Sequence, residues 1–246
     1  MNTVLSLIIL LTQNSLKKDI NYNIAIYILE HIYDLKDMGI KELAEACYTS
    51  TTSILKFCKV IGYDSYSEFK RQFVSNIEIR KVQLKTKLAN LTEEDLLNKL
   101  QYFSNEVIDK DVLLRAINEC ILVIQKTKKI YLYGATFPIA LSQSFIEDMA
   151  MLGVSCQVVQ MSRGNQEIEK NNGLHMIISL SGRFIEINRN EYMKIINQNE
   201  NSVLLSRKED QSAKIYLPIP HTSSSEYDEI TLLLIYDLLK YKYSVS

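Results

Sequence analysis

The sequence predicts an α/β protein in two parts: an all-α N-terminal domain and a doubly wound C-terminal domain with a five-stranded parallel sheet. The 246 residues include only 7 glycines and 3 prolines, and so few chain breakers favour long helices over a sandwich with many tight turns. The first 80 or so residues show only helical spacing of apolar side chains, whereas short apolar runs alternate with helix-length segments after residue 129. This alternation is typical of a parallel sheet covered on both faces.

The charge balance limits the classes of partner. Lys and Arg number 28 and Asp and Glu 29, for a formal net charge of -1. A protein that binds polyanions through its overall charge is therefore excluded, but a local basic face that binds DNA is not.

Cysteine spacing and the N-terminal run bear on metals and location. Cys47, Cys58, Cys120 and Cys156 form no C-x-x-C pair and have no histidine at ligand spacing, so we expect buried thiols in a reducing cytosol, with no metal and no cofactor.

The apolar run Val4–Leu11 has no preceding Lys or Arg and no following cleavage site, which argues against a signal peptide. No run reaches the ~18 apolar residues of a membrane span. We therefore expect a cytoplasmic protein with no membrane partner.

Three amphipathic helices are predicted in the first 50 residues, because apolar side chains recur at helical spacing. Their apolar faces are Leu5, Ile8, Ile9 and Leu11, then Ile24, Tyr27, Ile28 and His31, then Ile40, Leu43, Ala44 and Cys47. Residues 79–105 are charged, rich in lysine and free of Gly and Pro, which predicts a helical connector. Within it, Thr92 and Asp95 have the spacing of a helix cap.

A helix-turn-helix is predicted between residues 40 and 62. The first helix covers Ile40–Ala46, the turn covers Cys47–Thr49, and Ser50 caps the second helix. Gly62 follows the second helix, where a left-handed conformation is least costly for glycine. The buried stripe of the second helix has the spacing i, i+3, i+4, i+7 and consists of Ile54, Phe57, Cys58 and Ile61.

The opposite face of the second helix carries hydroxyls and lysines, and no acidic residue occurs from Ser50 to Val60. Small hydroxyls near the start of a recognition helix reach base edges, and lysines behind them meet phosphates. The alternative is an ordinary amphipathic helix with a solvated outer face. The predicted DNA-binding residues are Ser50, Thr51, Thr52, Ser53, Lys56 and Lys59.

A family resemblance favours DNA binding. The residues that carry it are Ile40-Lys-Glu-Leu-Ala-Glu-Ala46, Ser50, Phe57-Cys58-Lys59, Gly62-Tyr63 and Tyr66-Ser-Glu-Phe-Lys70. This segment resembles the helix-turn-helix of the RpiR/MurR family of bacterial transcriptional regulators. It departs from the family at Tyr48, where Gly or Asn is usual, and at Lys56, where an Arg would bind in bidentate fashion. The resemblance implies a double-stranded DNA operator that controls sugar-metabolism genes. A homodimer or higher homo-oligomer is expected because a helix-turn-helix buries little area alone and two half-sites multiply the affinity.

The C-terminal part is predicted to contain five strands with helices between most of them. The predicted strands are Ile130–Tyr133, Val154–Val159, His175–Leu180, Ser202–Leu205 and Lys214–Leu217. The predicted helices are Ile139–Leu152, Arg163–Lys170, Ile185–Gln198 and Glu226–Tyr241.

The resemblance implies that this part is a sugar isomerase (SIS) domain, which senses phosphorylated sugars. Ile130–Ala135 looks like the family's first strand and phosphate-side loop, and Ile178–Gly182 looks like its second signature loop. Loops at the carboxyl ends of parallel strands present unpaired N–H groups to an anion. Gly182 lets the backbone approach a phosphate oxygen closely, and Arg183 can bind a phosphate in bidentate fashion. The predicted ligand-binding residues are Gly134, Ala135, Thr136, Ser179, Ser181, Gly182 and Arg183.

The first loop lacks the second Gly and the Ser usual in the family, and Arg183-Phe184 replace polar residues. One alternative is therefore a ligand-blind SIS domain that acts only in dimerisation, and another is an SIS-type phosphosugar isomerase. Candidate proton-moving groups have no partner at a defining spacing, so we predict no catalysis and no catalytic residue. These candidates are His175, which we expect to be structural, His221, Glu186 and Glu226.

The predicted domain organisation has three parts. Residues 1–78 are assigned to the helix-turn-helix DNA-binding domain, 79–105 to the helical linker, and 106–246 to the SIS ligand-sensing and dimerisation domain. Such an arrangement regulates by linkage, because a ligand that prefers one arrangement of the dimer biases the spacing of its two DNA-binding heads.

Overall fold

The computed structural model describes residues 3–14, 18–159 and 172–246. The predicted helix Arg163–Lys170 lies outside the described residues. The chain forms two compact units: Met1–Lys87 with Ile146–Ser155, here called the helical unit, and Leu88–Phe145 with Cys156–Ser246, here called the sheet unit.

The N-terminal part is helical, as predicted. Its core includes an edge-to-face contact between Phe57 and Phe69, whose ring centroids are 6.1 Å apart, and a tilted contact between Phe69 and Phe73. Aromatic pairs in such arrangements add stability beyond the area they bury. The helices are α1 (Thr3–Asn14), α2 (Ile20–Glu30), α3 (Ile40–Ala46), α4 (Thr51–Val60) and α5 (Tyr66–Ala89).

The helix-turn-helix has the predicted bounds. The hydroxyl of Ser50 accepts a hydrogen bond from the backbone N–H of Ser53 at 3.1 Å, which caps α4. Gly62 adopts a φ of +92° after the end of α4. The carbonyl of Met38 accepts hydrogen bonds from Tyr66 Oη at 2.9 Å and from Lys70 Nζ at 2.8 Å. These two bonds fix the segment before α3 to the first turns of α5.

The segment 79–105 is helical in two pieces. The helix α5 continues without a break through residue 78, and it belongs to the helical unit as far as Lys87. The helix α6 (Glu93–Phe103) belongs to the sheet unit and buries Leu97 and Leu100. The hydroxyl of Thr92 accepts from the N–H of Asp95 at 3.1 Å, which confirms the predicted cap.

The sheet unit confirms the predicted α/β class. From Lys110 onward the helices and strands are α7 (Lys110–Thr127), β1 (Lys129–Gly134), α8 (Thr136–Leu141), α9 (Gln143–Met151), β2 (Ser155–Val158), β3 (Leu174–Ile178), α10 (Arg183–Ile187), α11 (Arg189–Gln198), β4 (Ser202–Ser206), β5 (Ile215–Pro218) and α12 (Ser225–Val245). The five strands lie in the order β2-β1-β3-β4-β5, with parallel pairing of β1 with β3, β3 with β4, and β4 with β5. The residues of α9 are divided between the two units, because Ile146–Ser155 group with the helical unit.

Two helices that the sequence predicts as continuous are each interrupted. The predicted helix Ile139–Leu152 is α8 followed by α9, and Ile185–Gln198 is α10 followed by α11. At the first break, the hydroxyl of Ser142 donates to the carbonyl of Pro138 at 3.0 Å. At the second, the side-chain amide of Asn188 donates to the carbonyl of Phe184 at 2.8 Å. At Ser142 the hydroxyl takes the i−4 carbonyl while the backbone N–H donates to the carbonyl of Ile139 at 3.0 Å, and α8 ends there. At Asn188 the backbone N–H also donates to the carbonyl of Phe184 at 3.0 Å, so the side chain shares this acceptor with the helix.

Candidate nucleic-acid interface and effector site

The outward face of α4 presents the residues that the sequence predicts for DNA binding. Ile54, Phe57 and Cys58 are completely buried and anchor the helix to the helical unit. The opposite face is therefore turned to solvent. Ser50, Thr51, Thr52, Lys56 and Lys59 are exposed, and Ser53 is half-buried.

Several of these residues also stabilise α4. The hydroxyl of Ser50 caps the helix and lies 3.0 Å from the hydroxyl of Ser53. Lys59 lies in the last turn, where a positive charge is favourable beside the negative end of the helix dipole. Replacement of Ser50 or Lys59 therefore changes both helix stability and the outer face, whereas Lys56 lies in mid-helix.

The turn before α4 contains Tyr48, which is not among the predicted DNA-binding residues. Tyr48 has a φ of +51° and is 98% exposed. The signal available in the sequence was a large aromatic residue at a turn position that favours Gly or Asn.

The two loops predicted to bind a ligand follow adjacent strands. Gly134 and Ile178 are register partners at the carboxyl ends of β1 and β3. The strand β2 lies on one side of β1, and β3 lies on the other side. The carboxyl ends of β1 and β3 therefore form the topological switch point, where open α/β sheets bind ligands.

The predicted ligand-binding residues have different exposures. Ser179 is 2% exposed, and its hydroxyl accepts from the backbone N–H of Ile185 at 3.3 Å, so it lies beneath the loop. Gly182 adopts a φ of +82°. Of the remaining residues, Ala135, Thr136, Ser181 and Arg183 are exposed, and Gly134 is half-buried.

The loop after β4 adds basic groups at the neighbouring strand end. Arg207 forms an ion pair with Asp228 at 2.8 Å, and its Nε donates to the carbonyl of Leu180 at 3.3 Å. Lys208 pairs with Glu186, and the hydrogen bond and charge of Lys208 lower the pKa of that carboxyl. A Cβ on Gly182 would lie 3.2 Å from the Lys208 side chain. Lys208 is not among the residues predicted from the sequence, although a basic residue so soon after the predicted strand Ser202–Leu205 is a usable signal.

The candidate proton-moving groups are dispersed. His175 is fully buried near the amino end of β3, its ring stacks on Tyr131, and its Nδ1 lies 2.8 Å from the Tyr133 hydroxyl. His175 therefore packs inside the sheet unit. His221 is exposed, and its backbone N–H donates to the Glu106 carboxylate at 3.1 Å. The side chain of Glu226 lies outside the described side chains.

The thiols are largely buried. Cys58, Cys120 and Cys156 are buried and Cys47 is half-buried, all four as free thiols. Burial raises the pKa of the Cys47 thiol to about 11 and that of Cys58 to about 11. Within residues 3–14, 18–159 and 172–246, no three His, Cys, Asp or Glu side chains are grouped in a way that could hold a metal ion. None of the described helices is both long enough and apolar enough to cross a bilayer.

The structure defines a protein with a helix-turn-helix and a parallel α/β sheet unit. Residues 7–78 match the family model described as a helix-turn-helix domain of the rpiR family. The N-terminal part of the chain is thus a helix-turn-helix domain of the rpiR type.

Curated relatives are named as transcriptional regulators. Over 146 residues the chain is 25% identical to the uncharacterized HTH-type transcriptional regulator TTE0211 of Caldanaerobacter subterraneus subsp. tengcongensis, a match that covers 56% of this chain and 50% of that protein. Over 52 residues it is 40% identical to the HTH-type transcriptional regulator GlvR of Bacillus subtilis, covering 21% of this chain and 20% of that protein. The matched region thus spans about half the length of the first relative and about a fifth of the second.

Two solved structures have a similar course of the chain at low identity. The hypothetical protein MJ1247 of Methanococcus jannaschii, whose crystal structure was taken to infer a function as 3-hexulose-6-phosphate isomerase, is 19% identical with a TM-score of 0.46, covering 63% of this chain and 90% of that one. The NanR protein of Vibrio vulnificus, complexed with ManNAc-6P, is 16% identical with a TM-score of 0.41, covering 98% of this chain and 90% of that one.

Proposed function

We propose that this protein is a DNA-binding transcriptional regulator that inserts α4 into the major groove of an operator. The observation that carries the proposal is the exposed, acid-free face of α4, anchored from behind by completely buried side chains. Hydroxyls at the start of such a helix reach base edges, and lysines further along meet phosphates. The rpiR-type helix-turn-helix match over residues 7–78 supports the same role.

The salt dependence of binding tests this proposal. Each lysine that neutralises one phosphate contributes about one unit to the slope of log K against log salt concentration. Lys56→Ala and Lys59→Ala are therefore each expected to weaken binding of a selected duplex and to lower the slope by about one. Lys99→Ala, which removes an exposed lysine from α6, is the matched control and leaves the slope unchanged. Unchanged binding in both α4 variants would remove this helix from the groove.

We propose further that a phosphorylated sugar modulates DNA binding from the switch point between β1 and β3. The exposed Ser181 hydroxyl and the exposed guanidinium of Arg183 follow β3, and the loop that starts at Gly134 follows the adjacent β1. A guanidinium is well suited to bidentate phosphate binding. The ligand set comprises Gly134, Ala135, Thr136, Ser181, Gly182 and Arg183, with Ser179 supporting the loop from beneath.

Thermal denaturation of the full chain with a panel of sugar phosphates tests the effector. A ligand that binds the folded state raises the melting temperature, and Ser181→Ala is expected to abolish that rise while the ligand-free melting temperature stays the same. Inorganic phosphate serves as the control for simple anion binding. No shift with any panel member would favour a ligand-blind dimerisation domain, and turnover of a panel sugar would favour an isomerase.

The proposed organisation has residues 1–78 as the DNA-binding domain, 79–105 as the linker and 106–246 as the sensing and dimerisation domain, in a non-catalytic cytoplasmic protein. A homodimer is proposed because binding to two half-sites multiplies the affinity of a small DNA-binding domain. Sedimentation equilibrium of the full chain checks this, and a monomer at micromolar concentration would contradict it.

A further inference from the structure

Tyr48 is held in an unfavourable backbone conformation. Its φ is +51°, and the other non-glycine residue with positive φ among the described ranges is Lys128. A left-handed backbone brings Cβ close to the following carbonyl oxygen, so bulky L-residues rarely adopt it. The turn itself imposes this conformation, because the N–H of Tyr48 donates to the carbonyl of Glu45 at 3.0 Å and that of Thr49 to the carbonyl of Ala44 at 2.8 Å.

Among the described residues, the two non-glycine residues with positive φ differ in what their side chains contact. The amino group of Lys128 lies 2.6 Å from the hydroxyl of Tyr243 and 4.9 Å from the centroid of its ring, so its side chain contributes to packing. The side chain of Tyr48 is 98% exposed. Its ring therefore gains almost nothing from burial, and Gly or Asn would fit the same backbone with less strain. A strained and solvated aromatic residue points to a role outside the folded chain.

The position of Tyr48 relative to the outward face of α4 indicates what that role is. One residue, Thr49, separates Tyr48 from the cap Ser50, so their Cα atoms are at most ~7 Å apart. In a helix-turn-helix the first helix crosses the DNA backbone and the second enters the groove, so the turn between them lies near the backbone. Tyrosine hydroxyls are among the side-chain groups that bond to phosphate oxygens.

We propose that Tyr48 is a DNA-contacting residue whose phenol hydroxyl donates a hydrogen bond to a backbone phosphate beside the groove that receives α4. The inference rests on the proposed DNA binding and adds a contact outside α4. Because the phenol is neutral, this contact adds affinity without the counterion release that lysine contacts produce.

The test uses the full chain and a duplex that the wild-type protein selects from a random library. The variants are Tyr48→Phe, which removes only the hydroxyl, and Tyr48→Asn, which removes the ring and introduces a residue that tolerates positive φ. Tyr102→Phe is the matched control, because Tyr102 is 81% exposed and belongs to the sheet unit. Affinity, salt slope, melting temperature and interference by phosphate ethylation are measured for each.

Tyr48→Phe and Tyr48→Asn are each expected to lower affinity about tenfold, the size of one hydrogen bond to a charged group. Their salt slopes match that of the wild-type protein, and Tyr48→Phe becomes insensitive to ethylation at one phosphate that interferes with wild-type binding. The melting temperature of Tyr48→Asn is equal to or above that of the wild type.

Wild-type affinity in both variants, or an unchanged ethylation pattern in Tyr48→Phe, would overturn the proposal. A Tyr48→Asn variant that loses helix content while Tyr48→Phe binds normally would also overturn it, because the ring would then serve the fold. A wild-type protein that selects no duplex and binds none at low salt would overturn the proposed function itself. That result is distinguishable from a failure of the Tyr48 proposal alone, because it is seen with the wild-type protein before any variant is made.

Discussion

Arg80 and Asp148 form an ion pair across 68 positions of sequence, and the carboxylate of Asp148 is fully buried. Both residues belong to the helical unit, where Lys87 lies 3.7 Å from the same carboxylate. This pair fastens the second half of α5 to α9. The nearby Ser6 hydroxyl donates to Glu147 at 2.6 Å and fastens α1 to the same segment.

Loss of Arg80 is expected to destabilise the helical unit. Without Arg80, Lys87 still lies 3.7 Å from the buried carboxylate of Asp148, but loss of one partner of a buried pair typically costs about 3 kcal/mol. We therefore expect Arg80→Met to lower the free energy of unfolding by about that amount in urea denaturation followed by circular dichroism. Lys87→Met is the control, because Lys87 is 40% exposed and its contact is longer. Equal small effects in both variants would contradict a dominant role for Arg80.

Ser50 is expected to act separately on stability and on DNA binding. Ser50→Ala removes the hydroxyl that caps α4 and should cost about 1 kcal/mol of stability. Ser50→Asp keeps an acceptor for the N–H of Ser53, so stability is retained, but the new charge repels phosphate. Melting curves and duplex binding together check this. If the Ser50→Asp variant bound DNA as tightly as the wild type, Ser50 would lie away from the DNA backbone.

Gly62 provides a test of backbone conformation alone. A Cβ at this position would meet nothing within 4 Å, while φ is +92°, so any cost of substitution is conformational. Gly62→Val is expected to destabilise the helical unit by about 1 kcal/mol or more, since β-branched residues resist positive φ. Gly62→Asn should cost less, because Asn tolerates this region. Equal stability of the two variants would show that α4 ends differently.

Gly134 provides the complementary test of space. A Cβ on Gly134 would lie 3.1 Å from the carbonyl oxygen of Ile178, which the sheet holds in place. We expect Gly134→Ala to destabilise the sheet unit by about 1–3 kcal/mol, as overpacking does. Gly39→Ala is the matched control, since its nearest neighbour is the flexible end of Glu42 at 3.3 Å. A neutral Gly134→Ala would mean that β1 and β3 can separate slightly without loss.

Thiol alkylation is expected to depend steeply on pH. The thiolate is the reactive form, and burial raises the pKa of Cys47 to about 11, so only about one molecule in a thousand carries the thiolate at pH 8. The rate of reaction of half-buried Cys47 with iodoacetamide should therefore rise about tenfold per pH unit between pH 8 and 10. Mass spectrometry follows each cysteine, and Cys58, Cys120 and Cys156 serve as buried references. Rapid alkylation of Cys47 at pH 7 would contradict the raised pKa.

The sequence by itself determined the features that depend on neighbouring residues. The cap at Ser50, the cap at Thr92 and the left-handed Gly62 each involve groups within a few positions, so their residue types specify them directly. The alternation of strands and helices likewise specified the parallel sheet, because each strand must bury both faces.

The tertiary structure decided the features that depend on distant partners. The division at Ser142 also involves Tyr236, whose hydroxyl lies 2.7 Å from that of Ser142, and no local pattern encodes such a contact. The same holds for the pairing of Arg80 with Asp148 and for the placement of α6 in the sheet unit. Spacing also left open which serine of the loop after β3 faces inward, and the structure buries Ser179 while exposing Ser181. Residues far apart in sequence meet only when the chain packs, so their contacts leave little trace in local periodicity.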